Sequence, residues 1–260
     1  MSNVDSGSET VKSADEAESS SAPKVERRTS ALAIPAFRIY FGGTVLAMNA
    51  LRLGAVAQGL LMWDLTGSTL SLGGVAAATA IPMMLVNVFG GVFADRFEAK
   101  FLLGGSSFIG AMLLVLLGVL DLSNTVQPWH VFTVAIISGF VAGADQPSRQ
   151  AYFPSLVPKS AMKSAVTING SLMASASVVA PTLGGVLIAA TGTHIGFFVS
   201  ALGWLAMFIA TLALPRRGAS AVTRSVLRDL GTGFGYIRSH RILLVLMILA
   251  FSNMLFVFGW

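Results

Sequence analysis

The sequence predicts an all-α polytopic membrane protein, and three observations support this fold class. Of the 260 residues, 54% are hydrophobic and only 11% are charged, whereas a soluble domain carries about a quarter charged residues. The apolar residues form long runs, each near or above the ~20 residues that cross a bilayer as a helix. The runs lack the apolar and polar alternation of membrane β-strands, and helices satisfy their own backbone hydrogen bonds in lipid. The seven runs are 39–63, 70–94, 101–120, 129–147, 165–190, 195–214 and 242–260.

Apart from Arg52, the basic residues occur only in an N-terminal tail and in alternate loops. The other 16 of the 17 Lys and Arg residues lie in the tail through Arg38 and in the loops 95–100, 149–163 and 216–241. The intervening loops, which contain no Lys or Arg, are 64–69, 121–128 and 191–194. By the positive-inside rule, this alternation predicts a cytoplasmic N-terminus. It also accounts for the pI near 10, so we expect a lipid bilayer and no nucleic acid as a partner.

The chain divides into four parts along its length. Residues 1–33 are rich in Ser, Glu, Asp, Lys and Ala, which predicts a disordered cytoplasmic tail. Residues 34–214 hold the first six runs and predict a six-helix transmembrane bundle. Residues 215–241 predict a cytoplasmic loop with an amphipathic helix, and residues 242–260 predict a seventh transmembrane helix. Because this last run ends at Trp260 without polar flanking residues, we expect the chain to be an incomplete version of a longer protein.

The residue types that several kinds of chemistry need are absent. The chain has no cysteine, which excludes disulfide frameworks, thiolate metal sites and Cys nucleophiles. It has no Ser-His-Asp, His-Glu-x-x-His or paired-carboxylate arrangement either. We therefore expect no enzymatic activity, no metal and no cofactor.

A charged segment between the second and third runs carries the most information. It reads Gly91-x-x-x-Asp95-Arg96-x-x-x-Lys100. Charges this close to membrane-length apolar segments are costly unless they face water or a partner. The pattern resembles the signature loop of the major facilitator superfamily of secondary transporters.

Other segments resemble one branch of that superfamily, the multidrug, macrolide and siderophore exporters. Trp63–Ser68 resembles its first outer loop. Pro147–Gln150 and Leu156–Pro158 resemble the end of its fourth helix and the loop that follows. Ala180–Gly185 resembles its fifth-helix antiporter motif. The resemblance runs from about Phe37 to Trp260. It implies a major-facilitator-like six-helix N-terminal bundle, built from two three-helix inverted repeats, and the start of a second bundle.

The resemblance also implies a conformational latch. In the family the loop Asp caps a helix of the other half, and the loop Arg pairs with an acid near the cytoplasmic end of the fourth helix. Asp95 and Arg96 match these residues, and Asp145 is the candidate partner of Arg96. The full predicted latch set is Gly91, Asp95, Arg96, Lys100, Asp145 and Arg149. The alternative is that Arg96 and Lys100 act only as topology determinants, and the loop departs from the family pattern at Glu98 and Ala99.

Arg52 is a base within the first predicted span, where an unpaired charge is costly. In the first interpretation, Arg52 faces the central cavity, where it binds an anionic substrate group or pairs with an acid. In the second, its side chain snorkels or pairs structurally with a group outside this chain. Both interpretations stay open. Asn49 lies three residues earlier on the same helical face, which makes it the better cavity companion. Gln58 lies about 120° away from Arg52 around the helix.

The fifth run carries the antiporter-like residues Ala180, Pro181, Gly184 and Gly185. Ala176 and Ala180 stand where the family has glycines, although small residues still permit close helix packing. Asp145 is the only acid that we expect in the interior of the first six spans, so proton coupling depends on it or on a second half, or is absent.

These expectations together describe a secondary active exporter. It would move drug-like or siderophore-like small molecules by alternating access, with the proton gradient as its energy source, as a monomer in the bacterial inner membrane. An uptake or uncoupled transporter of the same fold is the main alternative. A membrane channel or receptor is a further one.

Overall fold

The structure of the protein is a computed structural model that describes residues 30–96, 98–215 and Leu249, with only the backbone described for residues 88–96. Most of the predicted tail, the predicted amphipathic helix and all of the predicted seventh span except Leu249 lie outside the described residues. The end of the predicted tail belongs to the ordered bundle. Ala31–Ala33 form a 3-10 turn in which Ala31 is fully buried, and its N–H donates to Ser164 Oγ at 3.4 Å.

Six long helices account for most of the described chain. They are α1 (Pro35–Thr66), α2 (Thr69–Arg96), α3 (Ala99–Leu122), α4 (Pro128–Tyr152), α5 (Met162–Thr191) and α6 (Thr193–Ala213). Short 3-10 turns at Phe153–Leu156 and Lys159–Ala161 join α4 to α5. The described residues contain no strand. Each of the first six predicted runs falls on one helix, so the all-α fold class is confirmed.

Local sequence explains where several helices begin and end. α1 begins at Pro35, whose ring sets a helical φ and whose missing N–H would have no helical partner. It ends at Gly67, which has φ 60° and donates its N–H to the Trp63 carbonyl at 2.7 Å. That left-handed conformation suits a residue without a Cβ. Gly192, with φ 92°, alone separates α5 from α6.

The helix contacts agree in part with two inverted repeats. α1 packs most extensively on α6, α2 on α4, and α3 on α6 and α4, and α1 also packs on α5. Exchanging α1 with α4, α2 with α5, and α3 with α6 maps the α1–α6 contact onto the α4–α3 contact. The same exchange maps α1–α5 onto α4–α2. Among the described residues, the α1–α2 contact has no α4–α5 counterpart of similar extent, and the α5–α6 contact has no such α2–α3 counterpart. Because α1 and α4 run in opposite directions, the repeats α1–α3 and α4–α6 are inverted, as the sequence predicts.

Five of the six helices have the length and mean hydropathy of membrane spans among the described residues. The exception is α4, although its 25 residues reach about 37 Å, enough to cross a bilayer. It begins with Pro128 and His130 and carries Asp145 and Arg149 near its end. These polar residues lower its mean hydropathy, while its contacts with α2 and α3 keep it inside the bundle.

The two ends of the bundle differ in charge. One end, where α1 begins and α6 ends, carries the basic residues Arg38, Lys100, Arg149, Lys159 and Lys163; we call it the basic end. The connections at the far end contain no Lys or Arg: 67–68, 123–127 and Gly192. A hydrophobic cluster that includes Phe37, Leu103 and Leu156 lies toward the basic end, and a larger one that includes Leu117 and Phe197 lies toward the far end.

Candidate functional site

The central feature of the site is an ion pair buried at the basic end of α4. Asp145 and Arg149 are 3% and 4% exposed, and Arg149 Nε donates to Asp145 Oδ2 at 2.5 Å. Their spacing of four residues places both on one face of the helix. The second carboxylate oxygen, Oδ1, accepts a hydrogen bond of 2.8 Å from Ser106 Oγ of α3. Both oxygens of the carboxylate are therefore engaged.

The guanidinium of Arg149 connects α4 to two more helices. Its Nη1 donates to Thr44 Oγ1 of α1 at 3.3 Å and lies 3.8 Å from Met207 Sδ of α6. Tyr40 of α1 is also close enough to interact with it electrostatically. Nη2 is buried and has no hydrogen-bond partner among the described residues. We call Tyr40, Thr44, Ser106, Asp145, Arg149 and Met207 the buried network.

Asp145 and Arg149 both belong to the predicted latch, but their direct bond is not part of that prediction. The predicted pairing of Asp145 with Arg96 stays a prediction, and among the described side chains the carboxylate contacts Arg149 and Ser106. An acid and a base four residues apart on a predicted helix would have signalled this pair. The side chains of Gly91, Asp95 and Arg96 lie outside the described residues, so their latch roles stay predictions.

Lys100 contacts the end of α6. Its Nζ donates to the carbonyl of Leu212 at 3.3 Å and to the carbonyl of Leu214. A helix C-terminus presents unpaired carbonyls and a negative dipole end, which favour a cation. Nearby, the Tyr152 hydroxyl donates to the Pro215 carbonyl at 2.8 Å. Within the described residues, the partners of Lys100 are thus backbone carbonyls.

The predicted cavity residues of α1 lie in different environments. Arg52 is exposed and has no hydrogen bond or ion pair with a described residue, so both interpretations of it stay open. Asn49 is half-buried and donates to the Val45 carbonyl of its own helix at 2.7 Å. Gln58 is not a predicted cavity residue, because it lies about 120° from Arg52 around the helix. In the structure it is 8% exposed and lines a cavity between α1, α3 and α4. Sequence reasoning missed Gln58 because the angle between two residues does not reveal which face is interior.

The antiporter-like segment forms part of the contact between α5 and α1. Ala180 and Gly184 are buried, and a Cβ at Gly184 would lie 2.6 Å from Leu53 Cδ1. A Cβ at Gly185 would meet open space, so only one of the two glycines is needed for packing. Pro181 lies within the continuous helix α5.

Six helices with this contact symmetry define a multi-pass membrane protein of the major facilitator type. The sequence model of a family described as transmembrane secretion effector matches residues 28–258. The chain belongs to this family of the major facilitator superfamily.

Curated relatives are similar to the greater part of this chain. Enterobactin exporter EntS of Salmonella typhimurium strain LT2 is 29% identical over 185 residues, and that of Citrobacter koseri is 29% identical over 184. EntS of Escherichia coli O1:K1 is 28% identical over 184 residues. Each alignment covers 70% of this chain and 44% of the relative, so the chain spans less than half the length of these relatives. No solved structure matches the chain.

Proposed function

We propose that the full-length protein is a secondary active exporter of siderophore-like or drug-like small molecules that works by alternating access. The observation that carries this proposal is the buried Asp145–Arg149 pair in a bundle of inverted repeats. The family description and the relatives, which are named as enterobactin exporters, support export as the direction and siderophores as a substrate class.

We also propose that the proton gradient drives export through Asp145. Among the acidic side chains that the structure describes, only Asp145 is buried. As a carboxylate it balances the charge of Arg149, whereas a protonated Asp145 leaves that charge uncompensated in a dry interior, which is strongly unfavourable. Protonation would thus release the guanidinium toward another partner, and a two-state element of this kind can couple proton binding to a conformational change.

For the orientation, we propose that the basic end faces the cytoplasm of a bacterial cell, with the protein as a monomer in the inner membrane. Lys100, Arg149, Lys159 and Lys163 all lie at that end, and basic residues favour the cytoplasmic side of a membrane. This orientation would also place the predicted latch loop on the cytoplasmic side.

The test is proton flux driven by substrate in liposomes that contain the full-length protein, with enterobactin and ethidium as probes. Asp145→Asn keeps the shape of the side chain and an acceptor for Ser106 but removes the titratable charge, so we expect substrate-driven proton flux to disappear. Asp121→Asn is the matched control. Asp121 lies at the far end and accepts a hydrogen bond from Thr193 Oγ1 at 2.5 Å, which an amide oxygen can also accept.

Full coupled flux in Asp145→Asn would refute the coupling role of this residue. Single-channel currents from the unaltered protein would favour the channel alternative. Accumulation of the probe in the direction opposite to export would favour uptake.

A further inference from the structure

A cavity of about 100 Å³ lies inside the bundle, between α1, α3 and α4, and belongs to no part of the buried network. Leu114 of α3 and Trp204 of α6 contribute apolar wall. The polar side chains that line it are Gln58, Thr79 and Ser138. None of the lining residues is charged. We call this cavity the Gln58 recess.

Two of these polar groups have no hydrogen-bond partner among the described residues. The Gln58 amide offers two donors and one acceptor, is 8% exposed and forms no hydrogen bond with a described residue. The hydroxyl of Ser138, which is half-buried, likewise forms none. The Thr79 hydroxyl donates to the Val75 carbonyl of its own helix at 3.2 Å. Because Gln58 and Ser138 line the recess and have donors and acceptors to spare, they are placed to bind something that enters it.

The recess opens toward an exposed strip of α1. Leu51 and Ala55 line it and are themselves exposed, so a molecule that contacts this face of α1 can reach Gln58. Because the recess is open on this side, its volume of about 100 Å³ limits only the part of a ligand that it encloses. The wall carries no charge and so offers no counter-charge to an ionised group inside it, which favours an uncharged one.

We propose that the Gln58 recess binds a small uncharged group, no larger than a phenol ring, that carries a hydroxyl or an amide. The apolar wall would contact the ring or branched chain, while Gln58 and Ser138 would exchange hydrogen bonds with its polar atom. That this group belongs to the transported molecule rests on the proposed function; the binding itself does not.

The test uses the lack of cysteine in this chain. In the full-length protein, with any cysteine beyond the 260 residues replaced by alanine, Ser138→Cys introduces a thiol into the recess. Ser107→Cys is the matched control, because Ser107 is fully buried outside the recess and donates to the Leu103 carbonyl at 2.7 Å. In membrane vesicles, N-ethylmaleimide should label Ser138→Cys and leave Ser107→Cys unlabelled. Phenol should slow the labelling of Ser138→Cys.

A second variant tests the role of the amide. Adding Gln58→Leu to Ser138→Cys should weaken the protection by phenol about fivefold, the effect of one hydrogen bond between uncharged groups. The labelling rate without phenol should stay unchanged, which shows that the fold is intact. Equal labelling at positions 138 and 107, or protection that Gln58→Leu leaves unaltered, would overturn the proposal.

The outcomes separate this inference from the proposed function, because labelling is measured without a proton gradient. Phenol protection without any substrate-driven proton flux would contradict the proposed function and leave the recess as a binding site. Proton-coupled export of enterobactin without phenol protection would contradict the recess alone.

Discussion

The buried network and the Gln58 recess differ in whether their polar side chains have partners inside the bundle. In the network, Asp145 and Arg149 are charged and are held by each other and by residues of three other helices. In the recess, Gln58 and Ser138 are uncharged, have no described partner and line an open volume. The first arrangement suits a permanent element that responds to a change of charge, and the second suits a ligand that comes and goes.

The free energies of the interactions also differ between the two regions, and they are larger in the buried network. Removing one partner of a buried ion pair costs about 3–5 kcal/mol, because the other charge is stranded. A hydrogen bond between uncharged groups contributes about 0.5–1.5 kcal/mol. The network can therefore determine which conformation is stable, whereas the recess can only adjust the affinity for a ligand.

The largest effect should come from removing one charge of the network. Asp145→Leu leaves Arg149 buried without its counter-charge, and we expect it to destabilise the protein by about 3–5 kcal/mol. Combining it with Arg149→Met should restore most of the loss, because two apolar side chains replace the pair. Thermal unfolding in detergent measures both. A double variant no more stable than the single one would show that the pair does not behave as an isolated buried charge pair.

The sequence predicts the helices well and the side-chain partners poorly. The thickness of the bilayer fixes the length of an apolar run, so the run 101–120 falls inside α3. Partners depend on segments that are distant in the chain. Lys100 contacts Leu212, which is 112 residues away, and no pattern near Lys100 indicates where α6 ends. Gln58 is interior only because α3, α4 and α6 close around that side of α1.

A smaller loss of stability is expected when the same substitution, threonine to valine, is made in the network and in the recess, and its size should differ between the two. Thr44→Val removes the acceptor of Arg149 Nη1 from a site that is 1% exposed, and a hydrogen bond to a charged group contributes about 1.5–3 kcal/mol. Thr79→Val in the recess removes a hydroxyl bonded to its own helix, and we expect a loss of under about 1 kcal/mol. The measurement is the midpoint of thermal unfolding for both variants under the same conditions. Equal losses would remove the energetic distinction between network and recess.

The smallest expected effect on stability is also the sharpest test of the recess, since it reduces volume without removing a polar group. Gly54 lines the recess, and a Cβ there would lie 3.4 Å from Leu114 Cδ2 and 3.6 Å from Ser200 Oγ, at ordinary contact distance. Gly54→Ala should therefore raise the stability by up to about 1 kcal/mol, the gain from replacing a glycine inside a helix. It should also weaken the phenol protection of Ser138→Cys.

Gly59→Ala is the control for this last prediction. It lies on the same helix, where a Cβ would meet open space, and it does not line the recess. The same gain in stability is expected there, with unchanged protection by phenol. If both alanines leave protection unchanged, the bound phenol does not occupy the volume beside Gly54, and the recess is then no more than the path by which the maleimide reaches residue 138.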